Sequence, residues 1–110
     1  MANYVPGTNV RPYVQQKVDF NNASGSLYGS YSHSKRQYTV YSYGPHWPLF
    51  IYSNITKQWY ENTDRYGTTT SKHHGQAHPH RDTIGLCCDD MKLLDQHGPV
   101  ALTKHRLGAA

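Results

Sequence analysis

Tyrosine is the commonest residue of this chain, and aliphatic side chains are scarce. Val, Ile, Leu and Phe together account for only 18 of 110 residues, under the roughly 20% below which chains tend toward disorder. Ten tyrosines and two tryptophans must therefore supply much of the buried area, and a buried tyrosine needs a partner for its hydroxyl. A formal net charge of +4 is too small to hold the chain open by self-repulsion. The expected product is one folded domain with a tyrosine-rich, partly polar core, and 110 residues suffice for that.

Several classes drop out. No apolar run approaches the ~20 residues of a membrane span. Residues Met1 to Thr8 show no basic region followed by an apolar stretch, so no secretion signal is read. The two cysteines, Cys87 and Cys88, are adjacent and do not make a disulfide framework. The glycosylation patterns at Asn22 and Asn54 are taken as chance matches. A reducing, cytoplasmic setting is expected.

No internal repeat or long linker is evident. Residues 1–19 read as an extended N-terminal arm, because Pro6-Gly7 and Pro12 oppose helix formation. Residues 20–110 read as a single small domain. Asn21 to Gly25 looks like a turn, and Ser26 to Tyr31 a weak strand interrupted by Gly29. Gln37 to Tyr43 and Trp47 to Ser53 are strong strand candidates, with Lys57 to Glu61 returning as a hairpin partner. Thr68 to Ser71 reads as a short strand and His74 to Asp82 as loop. Alternation places Tyr38, Val40, Leu49 and Ile51 inward and Tyr41, Tyr43 and Tyr52 outward. Late in the chain, Asp89 or Asp90 caps a helix over Met91 to His97, ended by Gly98 and Pro99. Val100 to Leu107 is left open between strand and helix. The fold class is α+β, mainly antiparallel β: a sheet of about four strands with one short helix near the C-terminus.

The order Tyr41-Ser42-Tyr43-Gly44-Pro45-His46-Trp47-Pro48, then Trp59-Tyr60-Glu61-Asn62, then Tyr66-Gly67-Thr68-Thr69-Thr70-Ser71-Lys72-His73 resembles a group of small, largely uncharacterised proteins encoded in tailed-phage genomes. The likeness covers roughly residues 20–80 and brings no settled activity with it. It implies a phage accessory protein acting in the infected bacterial cell, either on nucleic acid or as a host-takeover factor that disables a host enzyme or defence complex.

Three clusters invite chemistry. No acidic residue lies between Asp19 and Glu61, and that stretch holds 11 of the 14 aromatic residues. Tyr41, Tyr43, Tyr52 and Trp59, edged by Lys35, Arg36 and Lys57, form a candidate base-stacking platform. The same rings are also what a chain poor in aliphatics must use for its core. Tyr66 to His74 crowds hydroxyls with Lys72, His73 and His74 and contains no acid. Thr69, Ser71, Lys72 and His73 are its candidate anion ligands. An exposed edge strand explains the same threonines. His74, His78 and His80 are possible zinc ligands, but the spacing fits no standard zinc module, so no cofactor is expected.

The favoured function is binding of single-stranded nucleic acid, or of a phosphate-bearing ligand, through the basic Tyr/Trp face. Two alternatives stand beside it: a protein–protein inhibitor of a host target, and a small phosphodiesterase using His46, His73, Lys72 and Tyr66. A minor virion component is also open, and pairing of exposed sheet edges makes a homodimer the expected oligomer. No membrane partner is expected.

Overall fold

The computed structural model describes residues 3–5, 10–22, 26–44, 47–64, 73–75, 77–79, 81–99 and 101–102. Strands β1 (Asn3–Val5), β2 (Phe20–Asn22), β3 (Leu27–Ser32), β4 (Gln37–Ser42), β5 (Pro48–Ser53), β6 (Gln58–Asn62) and β7 (Thr83–Leu86) form one sheet in sequence order. The strands from β2 to β6 make an antiparallel meander, while β1 joins β2 and β7 joins β6 in parallel. Helices α1 (Arg11–Gln16) and α2 (Cys88–His97) complete an α+β architecture. No helix among the described residues is long and apolar enough to cross a membrane.

The sheet has seven strands, not about four. The additional ones are short. β2 falls where a turn is expected, and β7 contains Gly85 among only four residues. The parallel partners β1 and β7 follow from no local pattern, because each meets its neighbour across a crossover connection. The expected strand at Thr68 to Ser71 lies outside the described residues, and Ala101 and Leu102 are helical.

Residues 1–19 are not a wholly extended arm. Pro12 occupies the first turn of α1, where its missing N–H removes no helical hydrogen bond. Lys17 ends the helix in the left-handed conformation and returns its N–H to Tyr13 and Val14 carbonyls. Val10 and Val14 are fully buried against one sheet face with Phe20, Leu27, Tyr38 and Val40. Tyr38 is wholly enclosed, and its hydroxyl donates to the Val18 carbonyl at 2.8 Å. Gly29 makes room for this: a Cβ there would collide with the Tyr38 hydroxyl and the Phe20 ring. The interruption in β3 is thus a packing requirement.

The opposite face packs under α2, where Ile51 and Tyr60 meet Leu86, Met91, Leu94 and Leu102. Ile51 and Val40 therefore belong to different cores. Both lie inside because both faces of the central strands are covered. The helix begins at Cys88, three residues before its expected start, with Cys87 as cap, and its buried positions are Cys88, Met91 and Leu94.

Candidate nucleic-acid interface

The register exposes a repeat that is easily passed over in the sequence. Tyr31-Ser32 leads through a four-residue turn ending in Arg36 to Gln37-Tyr38, and Tyr52-Ser53 leads through an equal turn ending in Lys57 to Gln58-Trp59. In each hairpin the serine pairs with the glutamine, and the flanking rings pair across the strands. Each serine hydroxyl also accepts from the backbone inside its turn. Ser32 Oγ takes the Lys35 N–H at 3.4 Å, and Ser53 Oγ takes the Ile55 and Thr56 N–H groups at 3.2 and 3.3 Å. Because the intervening strands are antiparallel, both turns emerge at the same end of the sheet. They are joined there by the Asn54 N–H donating to the Arg36 carbonyl at 2.8 Å.

The last residue of each turn is a cation in the left-handed region: Arg36 at φ 55° and Lys57 at φ 55°. Gly or Asn fills such a position at the lowest cost. A residue with a Cβ gives up about 1–2 kcal/mol there. Both side chains are exposed, and neither enters an ion pair among the described residues. The chain thus twice sets a free cation on a strained backbone at equivalent points of adjacent hairpins. With ~4.8 Å between strands, the two points lie about 10 Å apart.

Compared with known protein families, curated proteins and solved structures, the chain matches none.

Below the turns, Tyr31, Tyr38, Tyr52 and Trp59 stand in register across β3 to β6. Tyr38 and Trp59 are buried within this row, while Tyr31 and Tyr52 are half-buried. Lys17 Nζ sits 4.3 Å over the Tyr52 ring. Tyr31 accepts from Asn54 Nδ2 and meets the exposed His33 edge-on at 5.0 Å. The C-terminal end of α2 closes the other side. There Lys35 Nζ donates to the Asp95 carbonyl at 2.8 Å, and Gln37 Nε2 donates to the Leu94 and Asp95 carbonyls. Between this helix end and the turns lies a cavity of about 230 Å³, lined by Ser34, Lys35, Arg36 and His97, with Ile55 and Pro99 as its apolar side. The Asp95 carboxylate behind it is engaged by the Thr39 and Tyr41 hydroxyls. Burial and that carboxylate hold the Tyr41 hydroxyl far above its ordinary range, so it stays a donor.

The expected platform is divided. Tyr41 lies under α2, stacked on Tyr28 at 5.1 Å, whereas Tyr52 and Trp59 lie on the α1 face, with Trp59 buried. Only Tyr43 is strongly exposed, at 50%. It follows β4 at the end opposite Arg36, roughly 20 Å away along the strand. His73 is there too, but it is 5% exposed, with its Nδ1 2.9 Å from Ser42 Oγ. A buried ring bonded to serine is poorly placed as a general base for a large substrate. Lys35, Arg36 and Lys57 do converge, and Tyr31, His33 and His97 join them. The signal for these three was the repeated Tyr-Ser turn and the end of the helix. His46, Tyr66, Thr69, Ser71, Lys72 and His80 lie outside the described residues.

His74 and His78 gather around Glu61. Among the described residues no three His, Cys, Asp or Glu groups form a metal cage. His74 Nε2 lies 2.7 Å from one carboxylate oxygen of Glu61, while His78 Nε2 lies 3.9 Å from the other, which also accepts from Thr83. Arg11 and Gln15 of α1 donate to the carbonyls of Gly75, His78 and Pro79, fixing this segment on the sheet. Burial works to raise the Glu61 pKa, but the Thr83 and His74 contacts outweigh it and hold the carboxyl below its usual 4.5. A depressed carboxyl stabilises the fold above its unfolded pKa, and that contribution disappears as pH falls through the folded value. Chemical denaturation between pH 7 and pH 3 is expected to show a stability drop below about pH 4.5 that Glu61→Gln removes. A drop of equal size in Glu61→Gln would assign it to other carboxylates.

Proposed function

We propose that the protein binds single-stranded nucleic acid along the two-turn end of its sheet, with Arg36, Lys57 and Lys35 on the phosphates and the Tyr31 and His33 rings beside them. The observation that carries this reading is the pair of equivalent, exposed cations at the left-handed positions that close the two turns, where Gly or Asn would serve the backbone at lower cost. Two cations about 10 Å apart suit a ligand whose charges recur along its length better than one isolated anion. Ring faces next to a cationic track are the ordinary means of holding unpaired bases without reading their sequence. The likeness to small phage proteins is compatible with such a ligand in an infected bacterium.

Fluorescence anisotropy with labelled single-stranded RNA, single-stranded DNA and duplex DNA, each at low and high salt, tests the reading. Tighter binding of the single strands is expected, weakening with salt at a slope of about −0.7 per phosphate contacted. Shortened strands on a gel would instead support the phosphodiesterase alternative. No binding to any of the three would turn the search toward a host protein.

A further inference from the structure

We infer that the cavity between the β3–β4 turn and the end of α2 takes a terminal phosphate, so that the protein binds the phosphorylated end of a strand; this rests on the single-strand reading above. Size is the first argument. At about 230 Å³ the space is smaller than the roughly 300–1,000 Å³ that encloses a drug-sized ligand. It suits one phosphate group, with the attached sugar or base leaving across Ile55 and Pro99.

Charge and donor geometry are the second. Ser34 offers a hydroxyl, Lys35 an ammonium with one of its three donors spent on the Asp95 carbonyl, Arg36 a fork and His97 a ring nitrogen. A phosphomonoester presents three terminal oxygens and a charge of about −1.5 to −2 to such a set. A phosphodiester within a strand presents two free oxygens and a single charge. The last carbonyls of α2 carry the negative end of the helix dipole, which opposes any anion here. Lys35 on the Asp95 carbonyl offsets that field, and the more highly charged end group gains most from the cations that remain.

The test uses one short labelled oligonucleotide in three forms: 5′-phosphorylated, 3′-phosphorylated, and hydroxyl at both ends. One phosphorylated form is expected to bind about tenfold more tightly, the worth of one added charge-assisted hydrogen bond. Which form it is identifies the end. His97→Gln and, separately, Ser34→Ala are expected to remove the preference, read within each variant as the ratio of phosphorylated to hydroxyl-ended affinity, so that a general loss of strand binding leaves the ratio untouched. Equal binding of all three forms overturns end recognition and leaves the single-strand reading standing. A preference that survives both variants also overturns it, placing the end group elsewhere. Loss of binding for all three forms with the unmutated protein overturns the underlying reading itself.

Discussion

Replacing Arg36 and Lys57 together with glycine is expected to weaken single-strand binding at least tenfold while making the protein more stable. The two effects separate because they come from different atoms. Removing two phosphate contacts lowers the magnitude of the salt slope by about 1.4, and the affinity loss should fade at high salt. Relieving two left-handed side chains returns about 1–2 kcal/mol each. The extra freedom glycine gives the unfolded chain takes back about 0.4–1 kcal/mol per site. A net gain of about 1 kcal/mol, or a few degrees in Tm, is the expected result. Arg36→Ala with Lys57→Ala should lose affinity equally without that gain. Affinity unchanged in the glycine double variant would show that the cations serve something other than nucleic acid.

Phe50→Ala should be the most destabilising single truncation on the α1 face. Phe50 is fully buried, and its ring is covered by His74 at 4.9 Å and His78 at 5.4 Å between ring centres. Emptying such a site costs about 3–5 kcal/mol, a large part of the 5–15 kcal/mol that stabilises an ordinary domain. The cost should lie toward the upper end, because the imidazoles above are held by Glu61 and cannot sink into the gap. Urea unfolding with an unchanged m-value and a lower midpoint is the expected reading. A loss below about 1 kcal/mol would mean that His74 and His78 do not seal this face in solution.

The middle of the sheet was readable from the chain because its signals are local. Gln37 to Ser42 and Pro48 to Ser53 are rich in residues that favour strands, and the turns before the first and after the second are four residues long. The helix at Cys88–His97 was announced by Gly98. What was not readable depends on partners distant in sequence. Alternation alone does not assign facing when both faces are covered, and Tyr41 and Tyr52, alike in sequence context, lie on opposite sides. α1 is hidden in the sequence because Pro12 reads locally as a helix breaker, and only the fold shows it to be a first-turn residue. At the site, Lys35, Arg36 and Lys57 are legible in the sequence through their charge alone. Their convergence with His33 and His97 required the register, and so did recognition that the two hairpins are one pattern used twice.

The clamp of α1 on Gly75, His78 and Pro79 also bears on how the chain assembles. Its hydrogen bonds span 64 to 67 positions, whereas the β3–β4 and β5–β6 hairpins each close through only four turn residues. Pairings that enclose long stretches of chain carry the larger entropic cost and form later. The meander from β3 to β6 should therefore gain its amide protection first, with β1, β7 and the clamp following. Pulsed hydrogen exchange during refolding would resolve that order, and simultaneous protection of all strands would show a single concerted closure instead. In this sequence of events the two-turn end of the sheet is built before the histidine-bearing segment is fastened.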